Sequence, residues 1–438
     1  MSDIPTAPPS GFRDFLPDAS SLRGRAIETI SKVYRSYGFS AIATPAVEDL
    51  AVLTGKGGGE NEKLIFKILK RGEKLDLSQG PKELADMGLR FDLTLPLARF
   101  YAKNRGVLPT PFKAFAIGPV WRAERAQKGR YREFIQCDVD ILGSESALCE
   151  IEVLSAALSA FQALGLDLPA VVLNDRRILY ALLAEWKVPD EKRQGLCIIL
   201  DKIDKVETSI LKQDLIALLG HANDHVEQFL LAGQIDEELL LKVAPEPMQR
   251  LKAIQKALRD LFPSPVEIKP NLVRGFDYYT GPVFELRRPG VSGSLGGGGR
   301  YDGLTEKFGT PHTPACGVSI GFERLMLVLE ESGAKKTSGP DAVMTIFSEE
   351  LRPQSLRIAH DLRSNGLSVD VYPGEAKLKS QFKYADSRQE RFALVLGPEE
   401  ASLRKIKAKE LATGAESLLE FKELVTALQH AQTLAQAS

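Results

Sequence analysis

The stretch Phe112–Ser144, FKAFAIGPVWRAERAQKGRYREFIQCDVDILGS, constrains the fold more than any other. Phe112 to Ala123 reads as a strand, Glu124 to Arg132 as a polar loop, and Glu133 to Leu142 as the returning strand. Strands joined across so short a loop pair antiparallel, because a parallel return needs a crossover of about a dozen residues or more. Alternation then puts Gln136, Asp138 and Asp140 on one face of the return. Three polar groups are odd on a packed face. The plain reading is a solvent-facing edge strand with a charged hairpin; the other is a face that meets a ligand.

The rest of the chain builds on that hairpin. Ser21 to Tyr37 carries a helical apolar stripe stopped by Gly38, and Phe39 to Val47 reads as a strand interrupted by Pro45. Gly55 to Glu60 is a flexible loop, and Lys63 to Leu69 suits a strand or a short helix. Phe91 to Tyr101 begins extended and turns helical, with Pro96 in a first turn. Ser144 to Leu164 is a long helix closed by Gly165, and Asn174 to Leu261 is helical in period with few strand signals. Strand patterns return at Leu272 to Leu286, cross a glycine-rich turn at Gly293 to Gly299, and resume near Cys316 before a helix from Phe322. Ser332 to Asp341 is a linker, after which Ala342–Phe347, Leu367–Tyr372 and Phe392–Leu396 alternate with helices. The expected fold is α+β: an antiparallel sheet with flanking helices, a helical insertion, and a small C-terminal α/β domain.

At 438 residues the chain exceeds one ordinary core. A formal charge of -1 excludes nucleic-acid binding by bulk basicity, so a phosphate partner would be met by local patches. Cys137, Cys149, Cys197 and Cys316 form no CxxC pair and read as buried thiols of a reducing compartment. With no secretory leader and no run of about 18 apolar residues, the protein is expected to be soluble and cytoplasmic. There is no GxxxxGK[ST] and no GxGxxG opening a helix, so a bound nucleotide would be held by side-chain cations and sheet geometry.

Three further blocks hold chemistry-bearing residues. LVRGFDYYTGPVFE places Arg274, Asp277, Tyr278 and Tyr279 within one short span. SGSLGGGGRYDGL follows four glycines with Arg300, Tyr301 and Asp302; a glycine run permits close backbone approach but is usually a flexible turn. GVSIGFERL places Arg324 in the first turn of an amphipathic helix, where a lone arginine is ordinarily solvated.

Taken in order, these blocks resemble the class II aminoacyl-tRNA synthetases. The Pro45 strand is similar to their motif 1, the strand-loop-strand with Arg122 and Glu124 to motif 2, and GFERL to motif 3. RGFDYY, GGGGRYDGL and the opening GFRDFLP resemble histidyl-tRNA synthetases specifically.

The resemblance implies a catalytic domain over residues 1–173 and 271–331, a helical insertion over 174–270 that clasps the tRNA acceptor arm, a linker over 332–341, and an anticodon-binding domain over 342–438. It implies activation of L-histidine by ATP with Mg2+, transfer to tRNA-His, and a homodimer. Arg122 and Arg274 would be catalytic. Arg122, Glu124, Arg130 and Arg324 would hold ATP. Asp92, Thr94 and Gln136 would take the α-amino group of histidine, and Asp140 and Tyr279 the ring nitrogens. Tyr278 and Tyr301 would line the pocket, and Arg274 would also reach the carboxylate. No protein ligand of the metal is assigned. Lys377, Lys379, Lys383, Arg404, Lys405, Lys407 and Lys409 could meet tRNA phosphates. RFDLTLP and QCDVDI carry aspartates where many bacterial members carry glutamates. Two other readings stay open: a non-catalytic synthetase-like regulator, which would lack the C-terminal domain, and a class II synthetase for another amino acid.

Overall fold

The computed structural model describes residues 4–54, 60–78, 80, 83–126, 129–200, 206–220, 223–232, 235–273, 278–291, 293–333, 339–374 and 376–437. Arg274 and Asp277 lie outside the described residues, as do Gly55–Gly59 of the expected loop. The chain divides into two compact units, Met1–Ala334 and Lys335–Ser438.

The first unit is organised by one sheet. Its strands are β1 (Ser40–Ala41), β2 (Phe112–Trp121), β3 (Glu133–Leu142), β4 (Ala170–Asp175), β5 (Val266–Ile268), β6 (Pro282–Arg287), β7 (Gly296–Arg300) and β8 (Ala315–Gly321). The spatial order is β1-β2-β3-β8-β7-β6-β4-β5. Pairing is antiparallel throughout except for the outer pairs β1/β2 and β4/β5. The β2–β3 hairpin sits where its sequence placed it, but β3 is no edge: β8 pairs with it from Gln136 to Leu142. Both sides of its backbone are therefore bonded, and Gln136, Asp138 and Asp140 are buried rather than solvated.

One face of the sheet is covered by the helices Pro17–Ser36 and Leu148–Ala163. Ala26, Ile30, Tyr34, Leu154, Leu158 and Phe161 pack there against Cys137, Val139 and Ile141 of β3. Strand alternation explains the split: odd positions of β3 enter this core, and even positions face the other way. The opposite face carries a second apolar cluster of Phe91, Leu95, Tyr101, Tyr279, Tyr301 and Leu304. The two acids and Gln136 look out beside it.

The glycine run departs from expectation. Gly296–Arg300 is not a turn but a buried strand in the middle of the sheet. A Cβ on Gly298 would stand 1.9 Å from the Gly317 carbonyl oxygen and 2.8 Å from the Phe284 ring, so neighbouring backbones approach too closely for any side chain. Other elements are shorter than read. Phe39–Val47 resolves into β1 and a separate strand Val47–Asp49, and Lys63–Leu69 into a 3-10 turn Glu60–Leu64 followed by strand Lys67–Leu69. Among the described residues of Leu272–Leu286, the part from Pro282 is strand.

Between β4 and β5 lie the helices Arg176–Glu185, Asp190–Leu200, Thr208–Leu219, Asp224–Ala232, Glu237–Val243 and Pro245–Leu261. Asp175 starts the first of them, its carboxylate accepting the Arg177 N–H at 2.9 Å. Asn174 and Asp175 themselves belong to β4, so the helices leave directly from the sheet.

The second unit is a sheet in the order Val369–Val371, Ala342–Met344, Phe392–Val395, Ile406–Glu410, Glu416–Leu419. The first three strands are parallel and the rest antiparallel. Its core is Met344, Leu362, Leu367, Leu394, Leu396, Leu424 and Leu428. Lys407 and Lys409 pair with Glu400 and Glu416, each at 3.0 Å. Lys377, Lys379, Lys383 and Arg404 are exposed.

Candidate active site

The polar face of β3 carries a buried polar cluster bordered by glycine. Gly317 of β8 stands opposite Asp140 in register, and a Cβ there would lie 1.7 Å from Asp140 Oδ1. A Cβ on Gly299 of β7 would lie 2.9 Å from the Tyr279 ring. The missing side chains leave room for the acid and the phenol.

Asp140 and Tyr301 form the inner wall, the Tyr301 hydroxyl donating to Asp140 Oδ1 at 2.6 Å. Tyr278 stacks obliquely between them and Tyr279, with ring centroids 4.9 Å from Tyr279 and 6.1 Å from Tyr301. Tyr278 also hydrogen-bonds Thr94, the first residue of the helix Thr94–Asn104. Burial raises the carboxyl of Asp140 to about 7, against the hydrogen bond from Tyr301 that lowers it. Burial likewise lifts the Tyr301 and Tyr278 phenols well above their ordinary value.

Asp92 precedes the same helix and uses Oδ1 to accept the Leu95 N–H at 3.2 Å. Its Oδ2 is buried without a hydrogen-bond partner among the described residues, and so are Gln136 Oε1 and Asp138 Oδ1. Gln136 Nε2 donates to Ser319 Oγ at 2.8 Å. Burial raises Asp92 to about 6, opposed by the Leu95 N–H, Arg122 and Lys307. Burial also pushes Asp138 well up, reinforced by Asp140. Buried acceptors without donors are costly, and such a cluster fits a ligand bearing several N–H groups.

Cations line the neighbouring region. Arg122 follows β2 and donates Nε to the Phe91 carbonyl at 3.0 Å, with its guanidinium 4.9 Å over the Phe134 ring. Burial lowers its pKa, while Asp92, Glu124 and Tyr278 act in the other direction. Glu124 and Arg130 are ion-paired with each other. Arg324, in the helix Phe322–Glu331, donates Nη1 to the Ser294 carbonyl at 2.7 Å. A Cβ on Gly129 of the β2–β3 loop would come within 3.9 Å of Arg324 Cγ, so loop and helix meet.

The structure thus gathers Asp92, Thr94, Gln136, Asp140, Tyr278, Tyr279 and Tyr301 in one cluster, with Arg122 beside it. Glu124, Arg130 and Arg324 stand together on the loop-and-helix side. Arg274 is outside the described residues. Asp138, Ser319 and Gly317 also belong to the pocket. Asp138 was visible as the middle member of the β3 alternation, whereas nothing in the local sequence marked Ser319 or Gly317, which arrive through register with β3. Arg300 turns away: it is held by buried Glu150 at 2.9 and 3.0 Å.

The chain matches known proteins over most of its length. A family model described as histidyl-tRNA synthetase matches residues 11–325, and one described as anticodon binding domain matches residues 341–431. A histidine–tRNA ligase of Leifsonia xyli subsp. xyli (strain CTCB07) is 38% identical over 428 residues, covering 90% of this chain and 98% of its own. Among solved structures, histidyl-tRNA synthetase from Nostoc sp. PCC 7120 aligns with a TM-score of 0.81 at 27% identity, over 98% of this chain and 100% of that one. An ATP phosphoribosyltransferase regulatory subunit/histidyl-tRNA synthetase from Bacillus halodurans C, with a TM-score of 0.72, 21% identity, and coverage of 89% of this chain and 98% of its own, shares the fold. On the span of the first match and the identity to full-length relatives, the chain belongs to the histidyl-tRNA synthetase family.

Proposed function

We propose that the chain is a histidine–tRNA ligase whose amino-acid pocket is walled by Asp92, Gln136, Asp140, Tyr279 and Tyr301. It activates L-histidine with ATP to histidyl-adenylate and pyrophosphate, then transfers the histidyl group to the 3' end of tRNA-His. The observation that carries this reading is the pocket chemistry within a family match spanning residues 11–325: buried carboxylate and amide oxygens beside paired phenol and acid.

Asp92 Oδ2 and Gln136 Oε1 would accept from the α-ammonium, whose donors supply what both oxygens lack within the described chain. Thr94 is the third member of that group. Asp140 and Tyr279 would read the two ring nitrogens, with Tyr301 orienting Asp140 and Tyr278 packing the side wall. A site that pairs both nitrogens discriminates strongly against apolar isosteres, which would leave two buried groups unpaired.

In the first step a carboxylate oxygen of histidine bonds to the α-phosphorus while the bond to the leaving pyrophosphate breaks. Charge builds on the α-phosphate, so fixed cations near it do most of the catalysis. Arg122 and Arg274 take that role, Arg274 also meeting the histidine carboxylate. Glu124 reads the adenine amino edge, and Arg130 and Arg324 hold the polyphosphate; the Glu124–Arg130 pair would part to do so. In the second step a ribose hydroxyl at the tRNA terminus attacks the acyl carbon and AMP leaves. Among the described residues no group of three His, Cys, Asp or Glu side chains is arranged to hold a metal. The Mg2+ expected with ATP would bridge the polyphosphate, as is usual for that nucleotide, and no residue is assigned to it.

The helices from Arg176 to Leu261 would clasp the acceptor arm, and the unit from Lys335 would read the anticodon, in keeping with the match of residues 341–431. A homodimer and a cytoplasmic location complete the proposal; among the described residues no helix is long and apolar enough to cross a membrane. ATP–pyrophosphate exchange with each amino acid offered separately tests the activation step. Exchange with histidine alone is expected, and folded protein giving none with any amino acid would favour the regulatory alternative.

A further inference from the structure

We infer that the segment Ser10–Phe15 is a positioning element of the ATP site, with Arg13 as its central residue. The inference rests on the reading of Arg122, Glu124, Arg130 and Arg324 given above. These residues lie on two separate elements, the β2–β3 loop and the helix Phe322–Glu331, and the N-terminal segment ties one to the other.

Its backbone holds the base of the loop. The Arg132 N–H donates to the Gly11 carbonyl at 2.9 Å, and Arg132 Nη1 to the Ser10 carbonyl at 3.2 Å. Arg132 in turn closes the loop on itself: its Nε donates to the Glu124 carbonyl at 3.1 Å, and its own carbonyl accepts the Arg122 N–H at 2.8 Å. Gly11 has φ +87°, and a Cβ there would meet Arg132 Cγ at 2.7 Å, so the close approach requires glycine.

Arg13 supplies the second tie. Its guanidinium lies 3.3 Å from the centre of the Tyr131 ring and is ion-paired with Glu323, the residue before Arg324. Glu323 is buried and also receives Arg23 through two bonds of 2.8 and 2.6 Å and the Ile135 N–H of β3 at 3.4 Å. Arg23 is stacked 3.9 Å over the Phe15 ring, which fixes the far end of the segment. Arg13 thus touches a loop aromatic on one side and the carboxylate beside Arg324 on the other. Among the described residues, the acid-and-phenol cluster built on β3, β7 and β8 is not among its contacts.

That asymmetry makes the inference testable in the full-length protein by pyrophosphate exchange. Arg13→Ala should raise KM for ATP about tenfold, the scale of a lost half-buried cation–π contact and ion pair, while KM for histidine stays within about twofold. Arg13→Lys, which keeps the charge but not the planar stack, should fall between Arg13→Ala and wild type. Hydrogen exchange should show faster opening at the Arg132 amide in Arg13→Ala, with an unchanged core. An unchanged KM for ATP, or parallel rises in both KM values, would overturn the inference while ordinary wild-type exchange leaves the functional reading standing. Absence of exchange from the wild type would remove both.

Discussion

The Tyr301 hydroxyl donates to Asp140 across 2.6 Å, joining the residue after the glycine strand to the last acid of β3. The two stand 161 positions apart in sequence and meet because β8 lies between their strands with glycine at the crossing point. The bond fixes one oxygen of the Asp140 carboxylate.

Removing that orientation should act on histidine and not on ATP. Tyr301→Phe is expected to raise KM for histidine by roughly ten- to thirtyfold, the scale of one hydrogen bond to a charged group. Asp140→Asn should cost more, because an amide cannot replace the anion. Steady-state pyrophosphate exchange with each substrate varied in turn measures both; equal shifts in the two KM values would take these residues out of the ring pocket.

The acids give histidine binding a pH dependence. Asp92 is raised to about 6 by burial, above an unfolded value near 3.9. Between those values the folded empty protein holds a proton that the unfolded chain has lost. The stability tied to this group is full below about 4 and is lost as pH rises through about 6. An ammonium prefers the ionised carboxylate, so histidine affinity should rise by up to roughly tenfold per pH unit on approaching 6 from below. Asp92→Asn should flatten that limb relative to wild type in a pH series of binding titrations, leaving the ring-nitrogen titration of histidine itself in both.

Two glycines should respond in opposite directions to alanine. Gly298→Ala would drive a Cβ into the Gly317 carbonyl, and a loss of about 3 kcal/mol or more is expected. Gly24 lies inside the helix Pro17–Ser36 with open space where its Cβ would be, so Gly24→Ala should add roughly 0.5–1 kcal/mol. Chemical denaturation of the two variants decides both.

How far the sequence could be read follows from these same residues. Gln136, Asp138 and Asp140 declared a shared face by alternation, but whether that face met water depended on β8, whose pairing is non-local. Gly296–Gly299 looked like a turn because glycine disfavours strands locally; close packing between β6 and β8 overrides that preference. The hairpin of β2 and β3 needed only local periodicity and was legible to within two residues, whereas the helical stripe read from Ser21 missed the first turn, which starts at Pro17. Gly317, Ser319 and the contacts of Arg13 were not, since each exists only through a partner distant in sequence.

Deleting the chain from Lys335 onward removes a unit with its own core. Histidine-dependent pyrophosphate exchange should persist at near wild-type rate, while charging of tRNA-His should fall by at least about tenfold. Unchanged charging by the truncated protein would refute an anticodon role for that unit.

The central claim is tested most directly by offering purified protein ATP, labelled histidine and total tRNA, and identifying the acylated species. The account predicts histidine esterified to the 3' end of tRNA-His and to no other tRNA. Adenylate formation without transfer, or no labelled tRNA from a folded and ATP-competent protein, would contradict it.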